Sequence, residues 1–343
     1  MNTHNLLSDD GLAMLLLCSP FGTAQPAPPD APAPFTLSEW NQLARKIHAS
    51  SLKRPGALAG QAAANVAREL QVAPDEAERI ARLLERSGRV ALELDGLFSR
   101  GMWVATRVDP HYPVRLRDTL KHQAPTVIFG AGEMALLSGR NVAVVGSRNI
   151  DPAAAAFAQE FARHAVGEGF AIVSGGARGT DLMAMNAALD AGGKSVGVLA
   201  DSLERTIRAP EMRQLLLDRR VTLITPYAPT AGFSVGAAMG RNKVIYGLAE
   251  LALVVSSEHE KGGTWAGAVE ALKAAWCPVL VRATDDAPNG NRELLKKGAL
   301  PLAEPCLPTA EQLAASLPAA TLNTPVEPDL FAFRETKAPS EPR

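Results

Sequence analysis

Hydrophobic positions recur with two different periods along the chain. Between residues 37 and 98 the spacing is helical, and Trp40, Leu43 and Ile47 fall on one face of a predicted helix. From residue 141 onward, apolar runs alternate with segments of helix length; the runs are VAVVG, FAIVSG, SVGVLA, VTLIT, LALVVSS and CPVLVRA. Strands buried on both faces read as continuous apolar runs. These segments therefore predict an α/β fold with a doubly wound, mostly parallel sheet.

The change of period divides the chain into four predicted parts. Residues 1–100 form a small helical domain with a Pro-rich insertion at 23–35, since closely spaced prolines exclude regular helix or sheet interiors. Residues 101–140 form a joining segment that packs on the next domain and holds a short strand, a Pro-containing turn and a second strand. Residues 141–283 form the doubly wound α/β domain. Residues 284–343 form a short helix and a flexible tail that carries the apolar cluster PDLFAF.

Composition narrows the classes of function. The formal net charge is −1, which excludes a chain that attracts nucleic acid over its whole surface. Cys18, Cys277 and Cys306 lie far apart and lack the spacing of a zinc site, so we expect reduced thiols, a cytoplasmic protein and no structural metal. The apolar run at 11–22 follows acidic residues and is too short to span a bilayer. It predicts a buried first helix and no membrane association.

Small and basic residues follow several of the predicted strands. VVGSRN and SGGARGTD each end a strand in a glycine-containing turn, GRNK lies on a helix or at its entry, and EKGGTW precedes a helix that Thr264 is expected to cap. Such turns aim backbone N–H groups at a neighbouring anion, and guanidinium groups bind phosphate through paired donors. The candidate DNA- or phosphate-binding residues are Gly146, Ser147, Arg148, Ser174, Gly175, Gly176, Arg178, Gly179, Asp181, Arg241, Asn242, Lys243, Gly263 and Thr264.

The topology of a doubly wound sheet predicts that these turns share one crevice, because the carboxyl ends of its parallel strands lie on one edge. Residues 141–283 hold 14 Lys and Arg against 13 Asp and Glu, a net charge of +1, so any attraction for DNA has to be focused in that crevice. The patterns GxGxxG and GxxxxGK[ST] are absent, which disfavours a dinucleotide or P-loop site. No GxSxG motif and no paired carboxylates in a shared turn appear, so we predict neither an enzyme nor a cofactor.

The ordered set VAVVGSRN, IVSGGARGTDLMAMNAALDAGG, GRNKVIYGLAELALVV and GGTWAGAVEAL resembles the DprA/Smf family of DNA-processing proteins of bacterial transformation. The lead-in GMWVATRVDPHYP is also similar to that family, so the resemblance covers about Gly101 to Ala283. The resemblance implies an extended Rossmann-like fold for residues 141–283. It also implies a protein that binds single-stranded DNA, forms a homodimer, protects incoming strands and helps to load the recombinase RecA.

Several departures mark the chain as a divergent member of that family. Met185 and Asn186 stand where the family has Ala-His, and Gly262 and Gly267 replace hydroxyl-bearing positions in the last turn. The Tyr-Pro-x-x-Asn stretch that the family carries after the third strand is missing, and no C-terminal winged-helix domain is evident.

Two other functions remain open from the sequence. The near-neutral charge and the altered last turn also suit a sensor or hydrolase of a nucleotide or a nucleotide-derived signal, and the fold could serve as an interaction scaffold. Aromatic candidates for base stacking are few; they are Tyr227, Phe233, Tyr246 and Trp265. The sequence does not distinguish a polymer from a small nucleotide in the crevice, or transformation from repair, and it leaves the oligomeric state open.

Overall fold

The computed structural model describes residues 7–23 and 28–309. Its first part is helical, with α1 (Asp9–Cys18), α2 (Leu37–Ala49), α3 (Ala63–Leu70), α4 (Pro74–Leu84) and α5 (Ser87–Ser99). The start of α2 is fixed by a capping box, in which the Thr36 hydroxyl accepts a hydrogen bond from Glu39 N–H and the Glu39 carboxylate accepts one from Thr36 N–H. The predicted helical region, including the buried first helix, is confirmed.

The sheet contains nine strands within the described residues. They are β1 (Met102–Thr106), β2 (Val127–Ala131), β3 (Asn141–Val145), β4 (Ala171–Ser174), β5 (Ser195–Val198), β6 (Val221–Thr225), β7 (Leu251–Val254), β8 (Val279–Arg282) and β9 (Leu300–Leu302). Their order across the sheet is β1-β2-β6-β5-β4-β3-β7-β8-β9. All neighbours pair in parallel except β1 with β2 and β2 with β6, which are antiparallel.

Helices cover both faces of this sheet. The connecting helices are α6 (Val114–Leu120), α7 (Pro152–Gly167), α8 (Thr180–Asp190), α9 (Leu203–Ile207), α10 (Pro210–Leu217), α11 (Val235–Gly240), α12 (Asn242–Leu248), α13 (Gly262–Ala274) and α14 (Asn289–Lys296), with short 3₁₀ turns at Pro55–Leu58, Lys121–Gln123 and Met134–Ser138. Side chains of α7 and α8 pack on Val142 and Val144 of β3, whereas those of α6, α12 and α13 pack on the opposite face around Ala143 and Val145. This two-sided cover explains the continuous apolar runs.

The six apolar runs predicted as strands are confirmed as β3–β8. The two strands of the predicted joining segment, β1 and β2, form the antiparallel end of the same sheet, where Phe129 pairs with Thr225. Strand β9 was not predicted, because Pro301 at its centre disfavours a strand in a sequence reading. The predicted tail after residue 309 and its cluster at 328–333 lie outside the described residues, as do residues 24–27 of the Pro-rich segment.

A buried polar network joins the helical region to β1. Asp109 accepts hydrogen bonds from the backbone and side chain of Ser8, at 3.0 and 2.8 Å, and from Thr106 N–H at 3.0 Å. The guanidinium group of fully buried Arg107 donates to Asn41 Oδ1 on α2 at 3.0 Å. Because these bonds join segments that are far apart in the chain, they hold α1, α2 and β1 in one arrangement.

Two further findings bear on the predicted class of protein. Across residues 7–23 and 28–309, no helix combines the length and the apolar character needed to cross a lipid bilayer. In the same residues, no cluster of three or more His, Cys, Asp or Glu side chains is arranged to hold a metal ion. Cys18, Cys277 and Cys306 are free thiols.

Candidate nucleic-acid interface

A crevice opens at the carboxyl edge of the parallel strands, where the winding of the sheet reverses. Strand β3 lies between β4 and β7, so the chain leaves β3 toward one side and the later strands lie on the other. The crevice has a volume of about 720 Å³ and is lined by the ends of β3 and β7, the start of α13 and the segment from Phe233 to Asn242. It is the place that the topology predicts for a ligand.

Glycines allow three of the predicted turns to interlock beside this crevice. A Cβ atom on Gly146 would lie 2.4 Å from Thr180 Oγ1. Gly179 has φ +89°, and a Cβ there would lie 2.5 Å from the carbonyl oxygen of Arg148. The Thr264 hydroxyl, from the third turn, donates to the Gly146 carbonyl at 3.0 Å. The glycines are thus required for close contact between the turns, and the three turns meet on one edge of the sheet.

A buried ionic network lies beneath the crevice; we call Gly175, Ala177, Asp181 and Arg241 its floor. A Cβ atom on Gly175 would lie 2.0 Å from both terminal nitrogens of Arg241, whose Nη2 donates to the Gly175 carbonyl at 3.1 Å. The Asp181 carboxylate accepts hydrogen bonds from the N–H groups of Gly175 and Ala177, at 3.1 and 3.4 Å. The glycine therefore makes room for an arginine, and the aspartate holds the turn.

Burial dominates the titration of both charged floor residues. Arg241 is 6% exposed and Asp181 is 7% exposed. Burial raises the pKa of Asp181, and the positive charge of Arg241 opposes that rise. Burial also lowers the pKa of Arg241, while the Asp181 carboxylate opposes that decrease. The Nε atom of Arg241 is buried without a hydrogen-bond partner, so the guanidinium group is incompletely satisfied at the base of the crevice.

Four exposed residues and the half-buried Gly263 surround the opening; we call Arg148, Phe233, Lys261, Gly262 and Gly263 the rim. The guanidinium carbon of Arg148 lies 5.5 Å from the centre of the Phe233 ring, which is 52% exposed. Lys261 is the N-cap residue of α13, and no side chain caps this helix start. The first N–H groups of α13 and its helix dipole therefore favour an anion beside two cationic side chains.

The positive charge is not spread evenly around the opening. Glu258 and Glu260, on the loop before α13, also line the crevice and are exposed. An anionic ligand is therefore attracted to the part of the opening that Arg148 and the start of α13 form, and is repelled from the acidic part of the loop.

The structure brings most of the predicted site residues together. The crevice lining includes Gly146, Ser147, Arg148, Asp181, Arg241, Asn242, Gly263 and Thr264. Gly175, Gly176 and Gly179 lie in the turn that packs behind this lining, and Arg178 is exposed on that turn. Asn242 Nδ2 donates to the Gly263 carbonyl at 3.0 Å and so joins α12 to the start of α13.

Two of the predicted residues lie elsewhere. Ser174 is fully buried and its hydroxyl donates to the Val144 carbonyl, so it joins two strands below the crevice. Lys243 is half-buried, and the negative charge of Glu270 on α13 opposes the lowering of its pKa by burial. Neither side chain lines the crevice.

The expected capping role of Thr264 is wrong, and the lining extends beyond the predicted site residues. Helix α13 begins at Gly262, two residues before Thr264, which leaves the Thr264 hydroxyl free to bond to Gly146. Lining residues outside the predicted set include Lys261, Val235 and Met239. The signal for Lys261 is its position directly before Gly-Gly at a helix start; for the other two, apolar residues between glycines gave no indication of exposure.

Comparison with known proteins gives one family. Residues 103–309 match the model of the family DNA recombination-mediator protein A. The sequence is 32% identical over 169 residues to DNA processing protein DprA of Bacillus subtilis (strain 168), with 47% of this chain and 54% of that protein covered. It is 30% identical over 158 residues to DNA processing protein DprA of Streptococcus pneumoniae, with 45% and 54% covered. The chain spans about half the length of these curated relatives.

Solved structures agree on the fold. The X-ray structure of DNA processing protein A from Streptococcus pneumoniae superposes with a TM-score of 0.60 at 21% identity, covering 82% of this chain and 98% of that chain. A structure of DNA processing protein A from Helicobacter pylori, reported for its single-stranded DNA binding mode, gives a TM-score of 0.50 at 23% identity, covering 60% and 92%. The α/β architecture predicted from the sequence is confirmed.

Proposed function

The chain belongs to the DNA recombination-mediator protein A family, and from that membership we propose that it binds single-stranded DNA across the carboxyl edge of its sheet. The observation that carries this proposal is the rim, where exposed Arg148 and the uncapped start of α13 lie beside an exposed aromatic ring. Phosphates would bind to the Arg148 and Lys261 side chains and to the first N–H groups of α13, with Arg178 on the neighbouring turn extending the contact.

We propose that Phe233 supplies the stacking surface for a base. Of the four aromatic candidates, Tyr246 and Trp265 are buried and Tyr227 is half-buried, its hydroxyl donating to the Ala237 carbonyl at 2.9 Å. The Phe233 ring is about half exposed beside the Arg148 guanidinium. Any base presents a π-face to such a ring, so this contact would be independent of DNA sequence.

We further propose a mediator role without a chemical step, in which a homodimer in the cytoplasm protects the strand and loads a RecA-type recombinase. The family description supports mediation of recombination. The one carboxylate of the floor, Asp181, is occupied by backbone N–H groups, which suits a structural role better than acid–base chemistry.

Fluorescence anisotropy with a labelled oligothymidine at two or more salt concentrations tests the proposal. We expect Arg148→Ala to weaken binding about tenfold at low salt and to reduce the salt slope by about one, because one phosphate contact is lost. Arg163→Ala is the matched control, since Arg163 is also exposed but lies on α7, outside the crevice.

Two results would contradict the proposal. One is the absence of oligothymidine binding by the wild-type chain at low salt. The other is an Arg148→Ala variant that binds as tightly as the Arg163→Ala control. Thermal unfolding in the presence of mononucleotides and cyclic nucleotides distinguishes DNA binding from the alternative function. If the crevice binds a small nucleotide, that nucleotide should raise the unfolding temperature and an oligothymidine should not.

A further inference from the structure

A second groove lies at the opposite edge of the sheet from the crevice. It has a volume of about 530 Å³ and is lined by the end of α5, the end of β2 and the helices α9 and α10. Strand β2 is antiparallel to β6, so its end points toward the start of β6: a Cβ atom on Gly132, directly after β2, would lie 2.4 Å from the carbonyl oxygen of Val221. The groove is therefore at the amino edge of the parallel strands and is separate from the rim.

Three arginines give this groove its charge. Arg100, Arg208 and Arg213 line it, and all three are exposed. Glu204 is the one acidic residue of the lining, and its carboxylate pairs with Arg208. Neither Arg100 nor Arg213 has a carboxylate partner within residues 7–23 and 28–309, so the groove has an excess of positive charge close to its surface.

The rest of the lining is aliphatic. Helix α10 has no fully buried residue, and its Leu217 is 70% exposed, although large apolar side chains are normally removed from water. Leu216 of the same helix and Ile207 of α9 also line the groove and are partly buried. One side of α10 is thus an aliphatic surface next to unpaired guanidinium groups.

We propose that this groove binds an acidic segment of a partner protein that also carries aliphatic side chains. Acidic side chains would pair with Arg100 and Arg213, and aliphatic ones would cover Leu216 and Leu217. Nucleic acid fits this lining less well, because none of the groove residues is aromatic and a base would meet aliphatic side chains. Since the groove and the rim are on opposite edges, the partner and a DNA strand can be bound together.

The experiment uses the full chain and a fluorescein-labelled synthetic peptide of repeating Asp-Glu-Leu, with a Lys-Lys-Leu repeat as the charge control. We expect the double variant R100E/R213E to bind the acidic peptide at least about tenfold more weakly, since two charge-assisted contacts are lost. The variant R45E/R163E makes the same change of charge at two exposed arginines outside the groove and should bind as the wild type does.

Leu217→Ser is a second, uncharged test, and it should weaken peptide binding about threefold, as expected for one exposed aliphatic contact. Oligothymidine affinity should be unchanged in all of these variants, which separates this proposal from that for the rim. The proposal is overturned if the wild type does not bind the acidic peptide, if R100E/R213E binds it as R45E/R163E does, or if R100E/R213E loses oligothymidine affinity instead.

Discussion

The floor and the rim of the crevice carry similar residues in opposite environments. In the floor, Arg241 is buried and donates a hydrogen bond to the Gly175 carbonyl, and its positive charge favours the ionised form of Asp181. At the rim, Arg148 is exposed and contacts the ring of Phe233. A buried ion is held because its removal leaves other groups unsatisfied, whereas an exposed one is available to a ligand. The difference teaches that the glycine-rich motif which marks the candidate site mainly builds its structure, and that the DNA binding we propose would depend on the exposed neighbours of that motif.

The largest expected effect is a loss of stability when the floor loses the positive charge of Arg241. Arg241→Met should lower the free energy of unfolding by about 3 kcal/mol, because Asp181 would then be buried without an opposite charge. Urea denaturation measures this loss. Arg148→Met is the matched change at the rim and should alter the stability by less than about 0.5 kcal/mol. Equal losses in the two variants would remove the distinction between floor and rim.

A smaller effect is expected from adding a methyl group at two glycines with positive φ. Gly179→Ala should cost about 2 to 3 kcal/mol, because the new Cβ meets the Arg148 carbonyl in a backbone conformation that disfavours side chains. Gly262→Ala at the rim has φ +75° and open space around the Cβ, so only the backbone strain of about 1 kcal/mol applies. Thermal unfolding of both variants gives the comparison, and a larger loss at Gly262 would contradict it.

At the rim, Phe233→Ala should reduce oligothymidine affinity about fivefold, which corresponds to about 1 kcal/mol for one stacked base. The stability should not change, because the ring is 52% exposed. Phe233→Tyr keeps the ring and should keep the affinity. Anisotropy titrations of the three proteins test this, and equal affinity of the Ala and Tyr variants would exclude stacking.

The smallest effect concerns pH. Burial raises the pKa of Asp181 in the folded state, so this carboxyl contributes to stability below its unfolded pKa of about 3.8, and that contribution is lost as the pH rises through the folded pKa. We therefore expect the stability of the wild type, relative to Asp181→Asn, to decrease with rising pH across this window. Urea denaturation of both proteins at a series of pH values measures this difference in stability. If the difference increases with rising pH, the pKa of Asp181 is lowered in the folded state, which would contradict the prediction.

The parallel strands were predictable because apolar runs such as VAVVG and LALVVSS have no other common explanation in a chain with helices between them. The edge strand β9 was not, since its three residues include Pro301. The antiparallel pairing of β2 with β6 joins residues that are 92 to 96 positions apart, such as Phe129 and Thr225, and local patterns carry no information on such distant partners.

The members of the site were predictable, but their roles were not. Glycine signals close backbone contact, yet only the fold shows that the contact at Gly175 is with Arg241 and not with a ligand. Lys243 follows Arg241 and Asn242 in sequence, but the orientation of α12 turns it toward Glu270. Arg241 can be buried because Gly175, which is far from it in the sequence, has no side chain. The local spacing of residues does not reveal such a dependence.

The pairing of β2 with β6 also has a consequence for any shortened form of the chain that lacks β1 and β2. A polypeptide that began at Asn141 would retain every parallel strand and the whole crevice lining, but the backbone groups of Leu223, Ile224 and Thr225 would lose their partners on β2. An unpaired strand edge is a template for joining other molecules and promotes aggregation. We therefore expect a polypeptide that begins at Asn141 to self-associate more readily than the full chain, although none of the removed residues lines the crevice.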